Sequence, residues 1–144
     1  QFNLGNPHKD FTHILDLQTM NAIQIRDNAL ESSRTTLNRQ LANALGKEAY
    51  FMKVRVYPHQ VLRENAMATG AGADRFQQGM RMNFGNPIST AARVFVGQKI
   101  MEIRVNKENL RLAKEALKAA SYKMPTPCRI VAELVTVAVK AAPA

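Results

Sequence analysis

Residues 63–82 read Arg-Glu-Asn-Ala-Met-Ala-Thr-Gly-Ala-Gly-Ala-Asp-Arg-Phe-Gln-Gln-Gly-Met-Arg-Met. Between Ala66 and Ala73 the residues are small apart from Met67 and show neither a helical nor an alternating apolar period. A loop of this length is uncommon inside a compact domain and tends to be functional or unstructured. Gly70, Gly72 and Gly79 open backbone conformations closed to other residues. Arg63, Arg75 and Arg81 put positive charge at its ends. Val61-Leu62-Arg63 precedes it, and Met80, Met82 and Phe84 alternate with Arg81 and Asn83 after it. The pattern predicts a mobile, cationic-shouldered loop on a strand stem, suited to reaching a polyanion.

Outward from the loop, Tyr50 to Tyr57 alternates, with Met52, Val54 and Val56 facing inward and Lys53, Arg55 and Tyr57 outward, until Pro58 ends the strand. A strand with one cationic face feeding such a loop suggests a phosphate contact, although a solvated face explains Lys53 and Arg55 equally well taken alone. On the other side, Gly85-Asn86-Pro87 signals a turn. Ala91–Val96 and Lys99–Val105 then predict a hairpin about Gly97-Gln98, with Val94, Val96, Met101, Ile103 and Val105 inward and Arg93 outward. Upstream, residues 1–10 read as an irregular lead-in and Phe11–Leu17 as a short strand. Ala22–Leu45 has a helical period, with Ile23, Leu30, Leu37, Leu41 and Leu45 on one face, Thr19 or Asn21 as cap and Gly46 as stop. Arg34 falls among the leucines, where snorkelling or pairing with Glu31 or Asp27 is favoured over a ligand contact.

Asn106 is placed to cap a second helix, from Lys107 to about Tyr122, with Leu110, Ala113, Leu117 and Ala120 as its apolar stripe. Lys107, Arg111, Lys114 and Lys118 line one edge. That ridge fits two uses, tracking phosphates or forming a solvated flank neutralised by Glu108 and Glu115. Cys128–Val139 is a last β-branched run. The elements sum to an α+β fold, an antiparallel or mixed sheet with two helices and a long glycine-rich internal loop. One domain spanning 1–144 is expected.

The balance of 20 Lys and Arg against 11 Asp and Glu leaves a net charge of +9 on 144 residues, which favours an anionic partner. Cys128 is the only cysteine, and His8, His13 and His59 are scattered, so neither a disulfide nor a metal or catalytic cluster is expected. No cofactor or small-molecule substrate is implied. Gly70-Ala-Gly-Ala-Asp-Arg75 lacks the Lys-Ser/Thr of a P-loop and the third glycine of the dinucleotide fingerprint. No apolar run reaches the roughly 20 residues of a membrane span, and no signal peptide opens the chain, so a cytoplasmic location is expected. With no Trp and few Tyr or Phe, base stacking is not expected to dominate, which favours recognition of folded RNA through shape and phosphates. A nucleotide binder using the 66–75 turn, and an interaction module with an acidic protein partner, are the rival classes.

The segments Arg-Val-Tyr-Pro-His-Gln-Val-Leu-Arg-Glu-Asn (55–65), Met-Ala-Thr-Gly-Ala-Gly-Ala-Asp-Arg (67–75), Gly-Met-Arg (79–81) and Thr-Ala-Ala-Arg-Val (90–94) resemble the L16/L10e family of large-subunit ribosomal proteins. Val-Gly-Gln-Lys-Ile (96–100), Ala-Lys-Glu-Ala-Leu (113–117) and Lys-Met-Pro-Thr-Pro-Cys-Arg-Ile-Val (123–131) extend the resemblance, the last toward the archaeal branch. The resemblance implies an α+β fold with a hammerhead-like β excursion and no enzymatic activity. It implies docking on large-subunit rRNA near the peptidyl transferase centre, beside neighbouring ribosomal proteins, with the internal loop pointing toward tRNA. Carried onto this chain, Lys53, Arg55, His59 and Arg93 become rRNA contacts, with the ridge of Lys107, Arg111, Lys114 and Lys118 beside them. The tRNA-proximal loop supplies Arg63, Asn65, Met67, Thr69, Gly70, Gly72, Asp74, Arg75 and Arg81. Family members often carry lysine at the position of Ala66, and they begin with an arginine-rich segment upstream of the position of Gln1, so a basic segment is expected to be missing here.

Overall fold

The computed structural model describes residues 2–68, 70–71 and 79–135. Among the described residues, eight strands and two helices build an α+β fold of two antiparallel sheets. The larger sheet has the order β1-β4-β7-β2-β8, from β1 (Asn3–Gly5), β4 (Phe51–Val54), β7 (Lys99–Val105), β2 (His13–Thr19) and β8 (Cys128–Leu134). The smaller has the order β3-β6-β5, from β3 (Ile23–Arg26), β6 (Asn86–Val94) and β5 (Gln60–Glu64). Helices α1 (Asp27–Leu45) and α2 (Leu110–Ser121) pack against each other, and α2 lies on the larger sheet.

The core comes from matching two periods. Strand residues at spacing two, Leu15 and Leu17 on β2, Met52 and Val54 on β4, and Met101, Ile103 and Val105 on β7, turn one face inward. Leu37 and Leu41 on α1 and Ala113, Leu117 and Ala120 on α2 meet that face at helical spacing. The alanines let the helices approach closely enough for the buried Ser33 Oγ to donate to the Ala120 carbonyl at 3.2 Å. Buried Tyr50 donates its hydroxyl to Asn38 Oδ1 at 2.7 Å, and burial pushes its pKa up.

The strand at 50–57 has the expected faces, with Met52, Val54 and Val56 buried. Gly46 ends α1 with a φ of 77° as its N–H donates to the Ala42 carbonyl. The helix, however, begins at Asp27 and not Ala22. Ile23-Gln-Ile-Arg26 is a strand whose Ile23 and Ile25 face Val94 and Ala92 across the ladder. Its two isoleucines satisfy an alternating period as readily as a helical one, and β6 decides between them. Thr19 does not cap a helix either, because its Oγ1 accepts from the nearby Asn21 N–H at 3.2 Å. Asn106 makes no side-chain cap. The Lys107 N–H instead donates to Thr12 Oγ1 at 3.1 Å, and a 3-10 turn over Lys107–Asn109 leads into α2.

The hairpin about Gly97-Gln98 is also overturned. β6 pairs with β3 and β5, and β7 with β2 and β4, so Gly97-Gln98 is a crossing between sheets. Gly97, at φ 77°, donates to the Thr19 carbonyl at 2.8 Å, and Thr19 donates to the Gln98 carbonyl at 3.1 Å. Phe95 and Val96 bridge the gap and are exposed, whereas Val94 is buried. The loop stem is real, with Val61-Leu62-Arg63 in β5 as expected, but its far side is β6 and not residues 80–84. β5 pairs with β6 from Asn86 onward, so Asn86 and Pro87 of the expected turn open a strand instead. Around Pro87 only β5 flanks β6, and the register shifts between Leu62 and Arg63, a setting that tolerates a residue with no N–H. Residues 80–84 form turns rather than a strand, and Met82 has a φ of 65°. The last run is a strand only to Leu134, and residues 136–144 lie outside the described residues.

Ile25→Ala should lower the unfolding free energy by about 2–5 kcal/mol, the usual range for emptying a buried isoleucine site. Val96→Ala should stay within about 0.5 kcal/mol. Urea denaturation of the two variants measures both.

Candidate nucleic-acid interface

Arg63 stands at the mouth of the loop. It is exposed on β5, its Nη1 donates to the Gly85 carbonyl at 3.1 Å, and its guanidinium lies 4.2 Å from the Phe84 ring centroid. Gly85 is required there. A Cβ on it would come within 2.9 Å of the Glu64 backbone, so the two sides of the stem touch through a residue without a side chain. Arg63 is thereby held across the stem with part of its donor fork unused. Asn65, Met67, Gly70 and Arg81 are exposed. Thr69, Gly72, Asp74 and Arg75 lie outside the described residues.

A second group lies on the face of the larger sheet turned away from the helices. The ladder brings Lys53, Glu102 and Asp16 into one row across β4, β7 and β2, and Phe51, Arg104 and Ile14 into the next. Asp16 and Glu102 are buried, with 0% and 5% exposure, although two carboxylates face each other. Cations meet them. Arg104 Nε donates to Glu102 Oε1 at 2.7 Å, Arg55 Nη1 lies 3.3 Å from Glu102 Oε2, and Lys99 Nζ pairs with Asp16. Lys99 also reaches Glu133 at 3.9 Å. The Asp16 carboxylate paired with it is the main cause that raises the lysine pKa, opposed by desolvation and helped by the nearby Glu133 and Glu102. Arg55, Arg104 and Lys99 remain about two-fifths exposed, so each is tied at one end and open at the other. Sequence reading found Lys53 and Arg55 here but missed Lys99, Arg104 and the two acids. The signal was present, since the period that turns Ile103 and Val105 inward turns Glu102 and Arg104 outward.

His59 and Arg93 are exposed at separate places. His59 lies beyond the end of β4, and Arg93 sits on β6 opposite Gln24. Lys107, Arg111, Lys114 and Lys118 are all exposed, and Arg111 Nε donates to Glu115 Oε1 at 3.1 Å, so one expected neutralising partner is engaged. The ridge belongs to the helix layer and the Lys53–Arg55 group to the opposite face of the larger sheet. Among the described residues these two cationic groups therefore lie on separate surfaces. Arg34 pairs with Glu31 through two nitrogens, Nε at 2.8 Å, beside a cavity of about 340 Å³ near Phe2, Val54 and Pro58. This pairing raises the Arg34 pKa and lowers that of Glu31.

Sequence composition gave no reason to expect an aromatic platform, yet three rings meet. Phe2 and Tyr57 have centroids 5.2 Å apart, and Tyr57 and His59 4.6 Å. Among the described residues no group of three His, Cys, Asp or Glu is arranged to hold a metal ion, and no helix is long and apolar enough to cross a membrane.

Lys99→Met should destabilise the protein by about 1–3 kcal/mol, because it leaves a buried acceptor without its partner. The raised lysine pKa makes this contribution present at neutral pH and lost as pH climbs through the folded-state value. Unfolding measured from neutral to strongly alkaline pH should show wild type and variant converging at the alkaline end.

The family model described as ribosomal protein L16p/L10e matches residues 1–131. The large ribosomal subunit protein uL16 of Staphylothermus marinus is 53% identical over 131 residues, covering 91% of this chain and 75% of the relative. The protein of the same name from Hyperthermus butylicus is 51% identical, covering 90% of this chain and 72% of its own. That from Archaeoglobus fulgidus is 49% identical, covering 92% and 76%. With archaeal relatives at about half identity along nearly all of its length, the chain belongs to the ribosomal protein L16p/L10e family.

Proposed function

We propose that this chain, a structural component of the large ribosomal subunit and not an enzyme, docks on rRNA near the peptidyl transferase centre and holds its 63–82 loop toward tRNA. The observation that carries the reading is Arg63 at the mouth of that loop, tied to the Gly85 carbonyl and laid over Phe84. A guanidinium fixed in this way meets a phosphate with little further loss of side-chain freedom. Arg75 and Arg81 supply the other charges of the loop, and Asn65, Met67, Thr69, Gly70, Gly72 and Asp74 its remaining contacts.

Docking falls to other cations. Arg55, Lys99 and Arg104 form a lattice anchored on Asp16 and Glu102, with Lys53 in register with Glu102, and His59 and Arg93 extend the rRNA contact. The ridge of Lys107, Arg111, Lys114 and Lys118 engages a second rRNA segment from the helix side. Neighbouring ribosomal proteins complete the surroundings. Because phosphate contacts position without reading sequence, the cations set register and the fold of the RNA supplies specificity.

Replacing Arg63, Arg75 and Arg81 together with Glu should leave incorporation into large subunits intact while lowering tRNA binding by at least about tenfold. Filter binding of tRNA to reconstituted subunits reads this directly. Normal tRNA binding on fully occupied subunits would remove the loop from the reading. Docking has its own test. Lys53→Gln combined with Arg93→Gln should flatten the dependence of log affinity for rRNA on log salt by roughly 0.7–0.9 per phosphate contact removed.

A further inference from the structure

We propose that Phe2, Tyr57 and His59 form a stacking platform for an unpaired nucleobase of RNA, with Arg55, two residues before Tyr57, to take a flanking phosphate. The inference deepens the rRNA-docking reading and rests on it. Three features carry it. The rings form a continuous series, with centroid separations of 5.2 and 4.6 Å and interplanar angles of 39° and 45°. Rings tilted by such angles are not flush, so each keeps part of a face uncovered. Phe2 is 40% exposed, Tyr57 54%, and His59 is exposed as well. Single exposed aromatics are ordinary, whereas three in successive contact make a surface with a shape.

The backbone builds this surface. The Val54 N–H donates to the Phe2 carbonyl at 2.8 Å, which fastens Phe2 alongside β4. The His59 N–H donates to the Tyr57 carbonyl at 3.0 Å, a three-residue turn around Pro58 that brings the two rings to the same side. Proline fixes its own φ, so the turn is largely set before any ligand arrives.

Charge and shape choose the ligand. Arg55 lies two residues before Tyr57 and is steered by Glu102 at 3.3 Å while 41% of its side chain stays exposed, whereas Phe2, opposite Val54, lies on the face turned away from Lys53. A planar group flanked by anions matches this arrangement, and a nucleotide in an unpaired stretch has both parts. Stacking tolerates any base because every base presents a π face, so the platform selects single-strandedness rather than sequence.

The test uses the free chain and an oligouridylate carrying one 2-aminopurine, whose fluorescence is quenched when it stacks on an aromatic ring. A blunt RNA duplex serves as comparator. Wild-type protein should quench the probe. Tyr57→Ala should abolish the quench and weaken probe binding about tenfold. Its salt dependence should not change, because no cation is removed. Tyr57→Phe should retain both quench and affinity, and since Tyr57 is exposed the alanine variant should unfold at the wild-type midpoint. A wild-type protein that gives no quench, or a Tyr57→Ala variant that binds within about twofold with the quench intact, overturns the platform. If duplex binding and its salt slope persist in that case, the docking surface stands without the platform. If neither RNA binds, both fall.

Discussion

Asp16 and Glu102 face each other across β2 and β7, inside the larger sheet, and both are buried. Like charges directly opposite on a sheet repel, and a buried carboxylate without a partner is costly. The arrangement persists because Lys99, Arg55 and Arg104 converge on the two acids. That requirement shapes the whole outer face. The cations lie along β7 and just beyond the end of β4, each with one end engaged and the other in solvent. A charge lattice needed for the stability of the sheet is at the same time an ordered cationic surface.

The apolar side of the same strands answers a different need. Leu15, Leu17, Met52, Ile103 and Val105 meet the two helices in a core closed by alanines on α2. Sheet and helices are therefore not interchangeable as docking faces. One side is packed and shielded by α1 and α2, and the other carries the charge lattice beside Ile14 and the buried Phe51. The second sheet carries the loop outward from this body, with β6 bound to β3 at one end and to β5 at the other. Arg63 stands where that stem opens.

Much of this was legible from residues 50–57 and 99–105, because alternation states which side chains share a face. The stripe on α2 and the stop at Gly46 were equally plain. Ile23–Arg26 was not legible, since four residues with isoleucine at alternate positions fit a strand or the first turn of a helix. The Gly97-Gln98 crossing was misread for a similar reason. Two apolar runs around a glycine resemble a hairpin, but these strands bind different sheets. Lys53, Arg55 and Arg93 were identifiable as outward cations, whereas the joining of Arg55 with Arg104 and Lys99 over the two acids was not.

The sequence by itself determined which side chains face which way, the excess of positive charge, and the stretch that interrupts regular structure. These are local properties, written in spacing and composition. Only the tertiary structure decided which strands became partners, that two acids lie buried under three cations, and that Phe2 meets Tyr57 and His59. Pairing is a competition among distant segments for the same edge, settled by the free energy of the whole assembly. No local period records its outcome.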